Sequence, residues 1–164
     1  MKIGVIADPH GHLAPGATAA LAGVELILHA GDIGGAGIIA ELEELAPVLA
    51  VHGKSDAGTA LARQHPAMCW VERERVTISL THIGGPPAEL ARALPGEPSL
   101  RPQVYIFGHS HLSLLKRHDG VLFLNPGAAG RPRFGGGLSV AILSVSDGSA
   151  EATLIPLATG TRRP

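Results

Sequence analysis

Short apolar runs alternate with helical stretches over the first third of the chain, and polar residues collect where the runs end. KIGVIA (2–7) is β-branched and uncharged after Lys2, the pattern of a buried strand. The small, Ala-rich PGATAALAGV (15–24) predicts a helix, and ELILHA (25–30) a second buried strand. AGIIAELEEL (36–45) sets apolar residues at helical spacing with carboxylates on the other face, and Pro47 stops it. VLAVH (48–52) is a third strand. Strand, loop and helix repeated in this order predict βαβ units and a parallel sheet. In such sheets ligands bind beyond the carboxyl ends of the strands.

The pattern then changes. A short helix is expected over 57–64, followed by two strands, AMCWVERE (67–74) and RVTISLTH (75–82). The second alternates Val76, Ile78 and Leu80 with Thr77, Ser79 and Thr81, so one face is buried. PPAELARALP (86–95) reads as a helix opened by proline and closed by Pro-Gly. QVYIFGHSH (103–111) is a strand and loop. Hairpins are expected over 112–127, turned at Asp119-Gly120, and over 138–157, turned at Asp147-Gly148. The early part reads as α/β and the late part as antiparallel β. The expected fold class is α/β, a two-sheet β-sandwich flanked by helices, as one domain over 1–158. RPRFGGG (131–137) reads as a loop and TGTRRP (159–164) as a frayed tail. An exposed sheet edge in the late region is compatible with a homo-oligomer.

Composition narrows this picture. A chain of 164 residues suits one domain, and 45% hydrophobic against 16% charged residues supplies a sizeable core. Only 3% are aromatic, so that core is built from Ala, Val, Leu and Ile. A formal charge of -1 provides no electrostatic argument for nucleic acid or an anionic membrane as partner. No run approaches the ~18 apolar residues of a membrane span. The N-terminus lacks a signal-peptide pattern, and the protein is read as cytoplasmic. A single cysteine, Cys69, excludes an internal disulfide and a cysteine zinc cage; it reads as a small buried hydrophobe.

The nine histidines change the picture most, because several fall just after apolar runs. The polar residues ending those runs are Asp8 and His10, Asp32, Lys54 and Asp56, His82, and His109 with His111. Carboxylates and imidazoles without thiolates suit Mn first, and Fe, Ni or Zn as well. On extended backbone, D-x-H and H-x-H would send both side chains to one side. Asp32, between glycines, is the natural carboxylate to bridge two cations. Two cations ~3.5–4 Å apart polarise phosphoryl oxygens and lower the pKa of a shared water from about 15.7 toward ~7, so that metal-bound hydroxide attacks phosphorus.

The ordered set D-x-H, G-D, G-K-S-D, H-x-G and G-H-x-H, with NPGAAG at 125–130, resembles the calcineurin-like metallophosphoesterases, in particular their compact bacterial and archaeal phosphodiesterase branch. The likeness spans about residues 1–130. It implies a four-layer α/β/β/α fold and a dinuclear phosphodiesterase or phosphatase acting on a small phosphate ester. It also implies that Asp8, His10 and His111 hold one metal and His82 and His109 the other, with Asp32 between. In the family the second metal takes an Asn where this chain has Lys54.

GKS in VHGKSD also suggests a P-loop, but G-x-x-x-x-G-K-[ST] needs a glycine where Val48 stands. Beside two dications, Lys54 has three outcomes: it binds substrate phosphate as a point charge, it ligates as a neutral amine, or the second site is weaker with water in its place. The first combined with the third is the reading adopted here. His12 is read as a donor to phosphate or leaving group, or as a surface residue. Asp56 either caps a helix beginning near Ala57 or orients a catalytic group. Asn125 turns the chain before Pro126 or faces the site. Arg131 and Arg133 bind phosphate or lie in a solvated loop. His29, His52, His65 and His118 are left as structural or solvent-facing. The rival to an enzyme is a protein-interaction scaffold of the same fold with a weakened metal site, the role of a eukaryotic relative in a sorting complex.

Overall fold

The structure, a computed structural model, describes residues 1–132 and 136–158. Arg133 and the expected tail over 159–164 lie outside the described residues.

Among the described residues, ten strands form two five-stranded sheets. The first contains β1 (Lys2–Ile6), β2 (Leu26–His29), β3 (Val48–Ala50), β9 (Ser139–Ser146) and β10 (Ser149–Pro156), in the order β10-β9-β1-β2-β3. The second contains β4 (Met68–Arg73), β5 (Val76–Thr81), β6 (Val104–Ile106), β7 (Leu114–His118) and β8 (Val121–Asn125), in the order β4-β5-β6-β8-β7. β1, β2 and β3 run parallel, as do β5, β6 and β8. The first sheet therefore has three parallel strands ending at the β3 edge and an antiparallel pair on the other side, and the second has a parallel centre with an antiparallel strand at each edge.

This corrects the expected antiparallel late half. β6 enters parallel between β5 and β8, and the last hairpin returns to the first sheet through β9, which pairs antiparallel with β1. Alternation along a strand reports which face is buried but not which strand it pairs with.

Three apolar layers hold the sheets and helices. Between the sheets, Ile3 and Val5 of β1, Leu26 and Leu28 of β2, and Ala141, Leu143 and Val145 of β9 meet Val76, Ile78 and Leu80 of β5 and Leu122 and Leu124 of β8. The expected buried face of β5 is this one. Fully burying each such side chain contributes roughly 1.5–3 kcal/mol. On the outer face of the first sheet, Ile6, Ile27 and Val140 pack against Leu21, Ile38 and Leu42. These belong to the segments of α1 (Ala17–Ala20) and α2 (Ala36–Glu43); α3 (Ala60–Gln64) adds Leu61. On the outer face of the second sheet, α4 (Pro87–Ala93) covers Tyr105, Phe107, Val121 and Phe123. Three of the chain's five aromatics gather in this smallest layer, and the other two cores are aliphatic as the composition requires. The result is the expected four-layer sandwich.

The helices are shorter than the pattern predicts. The segment 15–24 forms one turn of α-helix between Gly16 and Gly23, both at positive φ, with no side-chain cap. Ala17, Leu21 and Val24 of this segment are buried all the same, because packing rather than helical propensity holds them. Among the described residues no helix is long and apolar enough to cross a membrane. Cys69, expected as a small buried hydrophobe, is half-buried.

Candidate metal centre

All the polar residues collected from the sequence lie on loops that follow parallel strands. Asp8 and His10 follow β1, Asp32 follows β2, and Gly53–Asp56 follow β3. His82 follows β5, His109 and His111 follow β6, and Asn125 ends β8. The loops are tied to one another through their backbones. Asp8, His10 and Gly11 donate to the carbonyls of Gly31, Asp32 and Ile33 at 3.1, 3.0 and 2.9 Å, extending the β1–β2 ladder past the sheet. Within the second sheet Gly108 N–H donates to the His82 carbonyl at 3.0 Å, and across the sandwich His109 N–H donates to Asp8 Oδ2 at 3.0 Å.

The backbone through the site is not extended. Asp8, His10, Asp32, His109 and His111 all have left-handed φ between 49° and 70°. Among the described residues, the other four non-glycine residues with positive φ are Glu74, Arg75, Asp119 and Asp147, which turn hairpins. The expectation that D-x-H and H-x-H converge by strand periodicity is thus corrected: each side chain is aimed by its own left-handed turn. A non-glycine residue in that region costs on the order of 1 kcal/mol, maintained by surrounding structure.

Two groups of side chains result. One oxygen or nitrogen from each of Asp8, His10 and His111 lies within 4.8 Å of the others, and the same holds for Asp32, His82 and His109. Asp32 reaches both groups: Oδ1 stands 3.4 Å from His82 Nε2 and Oδ2 3.6 Å from His10 Nε2. In the first group, His10 Nε2 and His111 Nε2 face each other at 3.2 Å, and His111 Nε2 is 3.6 Å from Asp8 Oδ1.

The donor set fits cations. His82 Nδ1 is 2.8 Å from the Ala30 carbonyl, an acceptor only, so Nδ1 carries the proton. The neutral ring then turns the lone pair of Nε2, buried and without a hydrogen bond, toward the Asp32 carboxylate. Two electron-rich atoms so placed require a positive charge between them. In the metal-free chain a proton supplies it. Burial opposes charge on both groups, but their contact outweighs it, holding the Asp32 carboxyl well below the usual range and raising His82. Ser55 N–H, 2.7 Å from Asp32 Oδ1, assists.

Beneath the ligands, Asp56 is buried and its carboxylate accepts from the N–H groups of Ile33 (3.0 Å), Gly34 (2.9 Å) and Gly53 (2.8 Å). The helix-cap reading is overturned, because α3 is capped by Thr59. Asp56 ties the Asp32 loop to the 53–56 loop. Gly53 is the contact that admits no side chain: a Cβ there would lie 2.2 Å from Asp32 Oδ1. Asn125, also buried, donates to the Gly108 carbonyl and Ser110 Oγ and accepts from Gly127 N–H, so it supports the His109 loop from behind. His29 Nδ1 accepts from Gly31 N–H at 3.1 Å in the turn before Asp32. Burial lowers His29 from 6.5 to about 4, against the pull of the Asp56 carboxylate.

Lys54 and His12 stand outside the two ligand groups. Lys54 is exposed in a cleft of about 230 Å³ with His52, His82 and Ile83. His12 is exposed and shares another cleft with His10 and Arg131. Ser55 is the residue that sequence reasoning missed; its position inside GKSD was the only signal, and its N–H holds Asp32 while its Oγ is 3.5 Å from His10 Nδ1.

Carboxylates and imidazoles gathered at the strand ends of a two-sheet sandwich define the metallophosphoesterase class. The chain belongs to the calcineurin-like phosphoesterase superfamily, whose domain model matches residues 1–148. It is 33% identical over 163 residues to a probable metallophosphoesterase of Methanothermobacter thermautotrophicus, covering 94% of this chain and 92% of that one. It is 29% identical over 143 residues to a phosphodiesterase of Methanocaldococcus jannaschii, with 77% and 83% covered. Among solved structures, an archaeal phosphodiesterase superposes with a TM-score of 0.75 at 26% identity, covering 94% and 100% of the two chains. The zinc complex of Vps29 from Entamoeba histolytica superposes with 0.73 at 23% identity, over 95% and 99%, and shares the fold.

Two predictions follow from the buried groups. Asp56→Asn sets an amide where three N–H groups point, and should lower stability by about 2–4 kcal/mol and metal affinity by about 10–100-fold. Urea unfolding and metal titration measure both, and a stability loss under about 1 kcal/mol would remove Asp56 from this role. For His29 the folded value lies below the unfolded one, so the unfolded chain takes up a proton first. Stability present above about pH 6.5 is lost as pH falls toward about 4, by up to about 3 kcal/mol. Urea unfolding of the metal-free chain over that window should show this slope, and His29→Gln should flatten it; an unchanged slope would contradict a buried neutral imidazole.

Proposed function

We propose that the chain is a dinuclear metal-dependent phosphodiesterase or phosphatase that hydrolyses a small phosphate ester. The observation that carries this is Asp32, whose two oxygens face His82 in one ligand group and His10 in the other. Asp8, His10 and His111 would hold one divalent ion, and His82 and His109 the other, with Asp32 between them. The donors suit Mn first, and Fe, Ni or Zn also. When bound, the two ions supply charge for the phosphoryl oxygens and acidify solvent for attack on phosphorus.

The chain's own residues then have distinct tasks. His82 Nδ1–H, anchored on Ala30, keeps Nε2 directed at the centre. Asp56 holds the Asp32 loop in register and touches no reacting atom, so its role is positioning. Lys54 lies beside His82 and presents a flexible ammonium to a substrate phosphate. His12, in the separate cleft with Arg131, donates to phosphate or to the leaving oxygen.

The rival scaffold reading draws on Lys54, which stands where the family resemblance implies an Asn ligand. A scaffold has no use for six converging ligand side chains, each with a cost in burial or backbone strain. Metal-depleted chain reloaded with Mn should take up close to two ions and hydrolyse bis(p-nitrophenyl) phosphate. Asp32→Ala should lower turnover at least about a hundredfold and reduce metal content. Wild type that binds no Mn and leaves the diester intact would overturn the enzyme reading, and full activity in Asp32→Ala would overturn the two-ion scheme. For position 54, Lys54→Asn should raise affinity for the second ion and raise KM for the diester. If occupancy and kinetics both stay flat, Lys54 has neither role.

A further inference from the structure

The two flanks of the ligand groups differ in chemistry. On the side of His10, the cleft carries His12 and Arg131. On the side of His109, the structure opens a cavity of about 480 Å³ between Gly84, Gly85 and Pro86 and the residues Leu112 and Leu114, with Phe107 in its wall. His109 is its one titratable lining side chain. The cavity therefore shares a wall with the candidate metal centre, and apart from His109 and the hydroxyls of Ser110 and Ser113 its lining residues are apolar or glycine.

Its shape is built in. A Cβ at position 84 would lie 2.1 Å from the Phe107 ring, so glycine lets the 84–86 segment lie directly against that ring. Phe107 is held from behind by Tyr105 and α4 in the third apolar layer. At the rim, Leu112, immediately after His111, is 51% exposed, while Ile83, immediately after His82, is 59% exposed and lines the Lys54 cleft instead. Single exposed aliphatics are ordinary on a surface. Here one of them lines an apolar concavity that ends on a ligand histidine, the arrangement of an orienting pocket beside a reactive centre.

The geometry points to a subsite for an uncharged, apolar ester arm, aryl or branched aliphatic, of the phosphate ester that the two ligand groups would hold through their cations. This assignment rests on the reading of the ligand groups as a metal centre for phosphate esters, and it adds the class of substrate: an ester with at least one apolar arm. The polar flank at His12 and Arg131 is left for the hydrophilic part of the same molecule. A uniformly charged polymer would leave the His109 cavity unfilled.

The test compares phenylphosphonate with methylphosphonate by calorimetry on the Mn-loaded chain, since the two differ only in the arm. Phenylphosphonate should bind at least about tenfold more tightly. Gly85→Leu adds bulk to the cavity lining where a Cβ meets nothing within 4 Å, and Leu112→Ser removes the apolar rim. In each, the ratio of the two affinities should fall to within about twofold of unity. Using the ratio cancels any general change at the metal centre, and either variant suffices if the other fails to fold. Equal binding of both phosphonates by wild type would overturn the subsite and leave the metal centre standing. A preference for phenyl that survives both substitutions would move the arm out of this cavity and equally overturn the assignment. Binding of neither phosphonate would overturn the underlying reading of the centre itself.

Discussion

One buried carboxylate governs this molecule. Asp32 is 5% exposed, and an anion so placed is costly unless positive charge and hydrogen-bond donors surround it. Ser55 N–H supplies one donor, and the Nε2 atoms of His82 and His10 stand on either side. What the imidazoles alone leave uncompensated is the opening for cations. The neighbouring structure serves this arrangement. Gly53 approaches so closely that a methyl group would push the carboxylate aside, and Asp56 clamps the loops on both sides of it.

The sandwich makes that constraint affordable. Loops carrying left-handed aspartates and histidines would relax if their ends were free to move. Here the ends are strands whose side chains interdigitate in a dry layer between two sheets. The three parallel strands in each sheet present their carboxyl ends to the same region, so residues a hundred positions apart, such as Asp8 and His109, hydrogen-bond directly. Stability from the cores thus offsets strain and desolvation at the centre, the usual division between scaffold and functional loops. The same division separates the flanks of the centre, where an aromatic floor supported by α4 faces an exposed pair of cationic or ionisable side chains.

Much of this was legible beforehand, residue by residue. Apolar runs ending in Asp, His or Gly-Asp marked the strand ends, since a buried strand has little other reason to terminate in costly polar groups. The alternation along Val76, Ile78 and Leu80 identified the face that meets the first sheet. Other features were not legible. The segment 15–24 looked helical because alanine favours helix, yet two glycines at positive φ confine it to one turn. Asp56 looked like a helix cap because its partners, Ile33 and Gly34, are more than twenty positions away. Ser55 escaped notice because it acts mainly through its backbone N–H, which every residue but proline possesses.

The sequence by itself determined the inventory: which runs bury, which loops carry carboxylate and imidazole, and that no thiolate takes part. These are local properties, set by side-chain chemistry and by periodicities of two and 3.6 residues. The tertiary structure decided which strands neighbour one another, the direction in which each ligand points, and where an apolar cavity opens beside His109. Those depend on pairings between distant segments and on left-handed turns that only the packed loops sustain, and neither leaves a periodic trace along the chain.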